Sequence, residues 1–91
     1  MDELTRRRLE HNEQVFRAVN EEIDDRPDGP PLEYVCECAD TDCTEVVRLT
    51  HREYGHVRSH DRWYLLVPGH ERDDLERVVE RSEAYLIVEK R

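Results

Sequence analysis

All three cysteines of the 91-residue chain, Cys36, Cys38 and Cys43, fall in one short run, Cys-Glu-Cys-Ala-Asp-Thr-Asp-Cys. Thiolates are soft ligands, and three of them at this spacing close most of a tetrahedral metal site, leaving one place for a histidine. If the run is extended at its start, Cys36 and Cys38 project to the same face. Sulfurs held about 2.3 Å from a zinc ion lie roughly 3.8 Å apart, a separation that two same-face neighbours reach by turning toward a common point. The Cys-x-Cys bite is tighter than that of most zinc knuckles. Free or redox-active thiols, an iron–sulfur cluster or another metal therefore stand beside zinc as readings of the same run.

The chain has 5 histidines that compete for the fourth place: His11, His51, His56, His60 and His70. His11 precedes a proline-rich stretch, and His51 sits at the end of a return strand about 26 Å of extended chain from Cys43. His70 opens a segment that reads as a helix, whose N-terminal dipole disfavours imidazolium and keeps the ring neutral for a metal. A right-handed crossover through the preceding short helix argues the other way, since it returns the chain near His60 and leaves His70 at the opposite end. His70 is the first choice and His60 the second, with His56, Asp40, Asp42 or water behind them.

A site closed by three cysteines and a histidine has no open position at which to activate water, which favours a structural metal. A water as fourth ligand would bring hydrolysis or deamination back, yet His70-Glu71 lacks the other half of the zinc-deaminase pattern. There is no phosphate-cradling glycine loop, no Gly-x-Ser-x-Gly elbow and no His-Glu-x-x-His. Ser59 and Ser82 read as surface serines, and Trp63, Tyr64 and Tyr85 as strand packing. No catalytic residue is assigned.

The elements that must position this run follow from period and punctuation. Leu9, Phe16, Val19 and Ile23 recur along one stripe of an amphipathic helix over residues 2–23, with Asn12 and Asn20 at its border. Residues 25–31 combine acids, Gly and three prolines, and read as a linker. Alternation marks a strand over 32–38, a turn over 39–42 and a return strand over 45–49. Thr50 with Glu53 forms a capping-box pattern that starts a short helix through Tyr54 and Val57. A strand over 62–67 stops at Pro68-Gly69. Leu75, Val78 and Val79, behind the acids Glu71, Asp73 and Asp74, predict a second short helix to about Ser82, and 84–88 a last strand. The expectation is an α+β domain over 32–91, with a small, mostly antiparallel sheet of about four strands and two short helices, preceded by the helical arm at 1–24.

Charged residues make up 41% of the chain and hydrophobic ones 36%, a lean supply for a core, so a bound metal would matter to folding. Nearly all of the net charge of -9 lies in the front half. That sign disfavours direct nucleic-acid binding and suits a basic protein partner or mimicry of a nucleic acid. No membrane span or signal pattern is present, which predicts a cytoplasmic protein, where clustered thiols indicate metal or redox chemistry rather than a disulfide. The helical arm is also a candidate for homodimerisation.

The run Cys36-Glu37-Cys38-Ala39-Asp40 to Cys43, Glu53-Tyr54 with Val57-Arg58, Val67-Pro68-Gly69-His70-Glu71 and Tyr85-Leu86-Ile87-Val88-Glu89-Lys90 resemble a family of small uncharacterised proteins from high-GC actinobacteria. The likeness extends to Asn12-Glu13, Phe16-Arg17 and Asn20-Glu21 in the front helix. It implies a cysteine-and-histidine metal site whose histidine matches His70, and it brings no activity with it. The expected protein is a zinc-binding interaction or regulatory module rather than an enzyme, with a thiol-based redox sensor or enzyme using Cys36, Cys38 and Cys43, or an acidic nucleic-acid mimic, as the alternatives.

Overall fold

The computed structural model describes residues 3–24, 30–38, 40 and 42–91. Its elements run α1 (Glu3–Ile23), β1 (Leu32–Val35), β2 (Val46–Leu49), α2 (His51–Arg58), β3 (Trp63–Leu66), β4 (Glu76–Arg81) and β5 (Leu86–Lys90). Residues 25–29 of the expected linker, and Ala39 and Thr41 of the expected turn, lie outside the described residues. No described helix is long and apolar enough to cross a membrane.

The α+β class holds, with two departures. The strands form two antiparallel sheets, β1-β2 and β3-β5-β4, so five strands replace the expected four in one sheet. The second is a correction: the helix expected over about 71–82 is the strand β4, so α2 is the one short helix described after α1. Leu75, Val78 and Val79 match a helical stripe, but a register shift between Val78 and Glu80 lets Val78 and Val79 both be half-buried in a strand. A tight turn then closes the β4-β5 hairpin, with Ser82 N donating to Tyr85 O at 2.9 Å and Ser82 Oγ accepting from Tyr85 N. Of the acids that suggested a helix start, Asp73 and Asp74 occupy the single turn before β4, where Glu76 N donates to Arg72 O at 3.0 Å, while Glu71 accepts from Gly69 N at 2.8 Å.

The β1-β2 hairpin pairs Leu32 with Leu49 and Val35 with Val46. Thr50 caps α2 as its sequence pattern requires: its side chain accepts from Glu53 N, and Glu53 reaches back to Thr50 N. This short helix buries Tyr54 and Val57. Apolar side chains cover both faces of the β3-β5 pair. On one side Tyr34, Val47, Leu49, Tyr54, Val57, Leu65 and Ile87 form a core, with Tyr34 and Tyr54 stacked at 4.4 Å. On the other, Tyr64, Leu66, Leu86 and Val88 pack with Cys36 and Cys38.

Helix α1 docks differently from its apolar pattern. Leu9, Phe16 and Ile23 are half-buried and Val19 is exposed, whereas the residues it buries are Glu13 and Asn20. Asn20 acts as a polar clamp: its Nδ2 donates to Val35 O at 2.7 Å while its Oδ1 accepts from Val35 N at 2.7 Å. At the far end of the helix, Glu10 pairs with Lys90 at 3.0 Å and Arg6 donates to Asp74 O.

Candidate metal centre

One ligand atom each from Cys36, Cys38, Cys43 and His70 lies within 4.8 Å of every other. Cys36 Sγ stands 3.6 Å and Cys43 Sγ 3.5 Å from His70 Nδ1. In a tetrahedron with sulfur at about 2.3 Å and nitrogen at about 2.05 Å from the ion, that edge is roughly 3.6 Å. The two sulfur-to-nitrogen separations match that edge, and all four atoms are close enough together to be compatible with one metal ion.

Each ligand is held by local structure. Cys36 continues from β1, and its N donates to Glu45 O at 3.1 Å. Val67 N donates to Cys36 Sγ at 3.2 Å, the kind of outer hydrogen bond that orients a thiolate. Asp40 shapes the loop that returns Cys43, since its carbonyl accepts from Cys43 N at 3.1 Å and its carboxylate from Asp42 N at 2.9 Å. Its carboxylate is therefore spent on the turn.

His70 is delivered by Pro68-Gly69. Val67 O accepts from His70 N at 3.1 Å and Gly69 has φ +97, which together make a type II turn with Pro and Gly at the positions it favours. This turn swings the ring from the end of β3 back over the sulfurs. The crossover argument against His70 assumed that β2 and β3 share a sheet, and they do not. Instead the cysteine run lies along β3, with Glu37 N donating to Leu65 O at 2.7 Å, so the end of β3 sits beside Cys36.

Three of the other histidines are engaged elsewhere, and the fourth is exposed. His51 Nδ1 lies 2.9 Å from Asp24 Oδ1, His56 pairs with Glu80, His60 stacks on Trp63 at 3.8 Å, and His11 is exposed on α1.

The cluster's electrostatics suit a cation. The hydrogen bond from the Cys36 thiol, with help from His70, pulls Cys38 down to about 5, against burial. Cys36 is pushed far up by giving that hydrogen bond and by burial, and burial raises Cys43. One thiolate forms easily and the next two are opposed, an arrangement that a dication relieves. A cleft of about 280 Å³ opens beside the cluster, lined by Cys38, Asp40, Gly69, His70, Glu71 and Arg72. A larger one of about 620 Å³ lies between α1 and the end of β5, away from the cluster, and its cations are already engaged: Arg17 by Glu21, Lys90 by Glu10, Arg62 by Lys90 O.

Comparison of the chain with protein-family models, with curated proteins and with solved structures gives no match. The functional reading rests on the site itself.

One residue at the centre escaped the sequence reading. Glu37, between two of the cysteines, is 0% exposed, and its carboxylate accepts from Asn20 Nδ2 (2.8 Å), Tyr54 OH (2.6 Å), Arg58 Nη2 (3.0 Å) and Leu65 N (2.9 Å). Alternation puts it opposite Cys36 and Cys38 on a face that a half-exposed hairpin would give to water. Arg58 leaves Nε and Nη1 without a hydrogen-bond partner, but its guanidinium lies over the Tyr54 and Tyr64 rings at 5.3 and 5.6 Å, so cation–π contact partly offsets their desolvation.

Proposed function

We infer that this is a small zinc-binding module in which Cys36, Cys38, Cys43 and His70 hold a structural metal and the surrounding surface does the work by binding another protein. The convergence of three thiols and one imidazole within 4.8 Å carries the reading. Zinc fits best because a compact sulfur-and-nitrogen tetrahedron suits it. With four protein ligands the ion has no open position, which supports a structural rather than a catalytic role. The resemblance to the actinobacterial family points the same way, since its histidine matches His70.

The partner is a basic protein, a reading supported by the net charge of -9 and its concentration toward the N-terminal half. The role is that of a regulatory or scaffolding contact in the cytoplasm.

Elemental analysis of protein purified without added metal tests the centre, followed by cobalt(II) substitution. One equivalent of zinc is expected, with a cobalt spectrum of tetrahedral geometry and strong thiolate charge-transfer bands. His70→Ala should weaken binding at least tenfold. An iron signal, or no metal in protein that is folded, would sink the zinc reading.

A second reading, the thiol sensor, is favoured by one observation: the cleft beside the cluster exposes a route to Cys38. Peroxide titration decides it. Early formation of a reducible disulfide with zinc release supports the sensor, and oxidation no faster than in denatured protein removes it.

A further inference from the structure

We propose that metal occupancy and the docking of α1 are coupled, with Glu37 as the strut that connects them. The proposal rests on the metal reading above and adds what the metal controls. Glu37 is the residue between two cysteines of the cluster, so the backbone that positions Cys36 and Cys38 also positions its carboxylate. That carboxylate reaches three other elements, through Asn20 of α1, Tyr54 and Arg58 of α2, and Leu65 of β3.

The coupling falls on α1 because of how this helix is held. Asn20 is 0% exposed, and the bonds of its amide go to Val35 and Glu37, the two residues on either side of Cys36. In the C-terminal half of the helix Ile23 packs against the first core but stays half-buried, and of residues 14–24 Asn20 is the buried one, so its polar clamp is a main anchor of that half. A buried amide is favourable only while its partners keep their geometry, and is costly once they move. Without a metal, the buried thiols of Cys36 and Cys38 lose the ion that draws them together, and the segment between them is freed to shift Glu37. The metal-free protein then releases the C-terminal half of α1, while the β3-β5 core, which does not depend on Asn20, stays formed. Linkage makes the effect reciprocal: loosening α1 must weaken metal binding by the same factor.

Two measurements test this on the full chain. The first is hydrogen exchange resolved by segment, with zinc and after chelation. Chelation is expected to raise exchange in residues 13–24 while β5 stays protected. The second is zinc affinity by chelator competition for wild type, Asn20→Ala and Val79→Ala, the last thinning the core on which Val79 packs while removing no hydrogen bond to Glu37. Asn20 contacts none of the four ligand atoms, yet Asn20→Ala is expected to bind zinc about tenfold more weakly, with Val79→Ala within about twofold of wild type. If Asn20→Ala does not fold, Tyr54→Phe, which removes one donor to Glu37, serves in the same comparison. Equal affinity of the variant and wild type, or a uniform loss of protection along the chain on chelation, overturns the coupling. Failure of the wild type to bind zinc at all removes the metal reading, and the coupling with it.

Discussion

At the scale of single residues, two glutamates meet the cost of burial in opposite ways. Glu37 is surrounded by four donors, whereas Glu13, 1% exposed on α1, faces Glu76, 2% exposed on β4, and each keeps one carboxylate oxygen without a donor. One proton shared between them satisfies both. Burial, then the hydrogen bond and charge of Glu76, push Glu13 up to about 9, with Lys90 opposing and Glu10 adding to the rise. A carboxyl group raised in the folded state binds its proton more tightly there than in the unfolded chain. Its contribution is complete below the unfolded value near 4.5 and is lost as pH rises toward about 9. The slope is at most about 1.4 kcal/mol per pH unit. Glu13→Gln supplies a permanent N–H donor to Glu76 and removes the titration. Urea unfolding at pH 6 and pH 9 should therefore show the variant losing less stability between the two than wild type does. Equal losses would mean that the pair holds no proton. Neither glutamate was legible in the sequence as a buried group, because burial of a charged side chain depends on partners that only the fold supplies.

At the scale of elements, what was legible followed local chemistry. The capping box of α2, the β1-β2 hairpin and the cysteine run each announce themselves through neighbours in sequence. Strand β4 did not, since a bulge gives Val78 and Val79 a spacing that also suits a helix, and the β5 strand that decides the matter lies farther along the chain. The Pro68-Gly69 turn was read only as the end of a strand, although it is what aims His70 at the sulfurs. It also makes a sharp prediction. Gly69 has φ +97, and a Cβ added there would meet nothing within 4 Å, so Gly69→Ala carries only the backbone penalty. That penalty is about 1 kcal/mol, measurable as a lower urea midpoint at saturating zinc. An unchanged midpoint would mean that the turn relaxes freely and that other contacts hold the histidine.

At the scale of the whole molecule, the cysteine run occupies the position from which a lean chain can best be stabilised. The β3-β5 pair has one core on each face, and the cluster belongs to the second, packed with Tyr64, Leu66, Leu86 and Val88. A metal there ties the start of the domain to the end of β3 through His70, and the same segment reaches both helices through Glu37. With 41% of residues charged, the apolar material left for two cores is small, so an ion bound at this cluster would add to a folding free energy that the cores alone supply thinly. Mass action turns this into a measurable slope. A metal that binds the folded state alone adds about 1.4 kcal/mol for each tenfold rise in free zinc above the dissociation constant. A domain of this length shifts its melting temperature by about 4–8 °C per kcal/mol. Thermal melts in zinc buffers spanning three decades of free ion should therefore climb steadily, by roughly 6–11 °C per decade. A melting temperature that stays level across those buffers, in protein shown to load zinc, would mean that the ion binds the unfolded chain as well as the folded one and that its structural role is wrong.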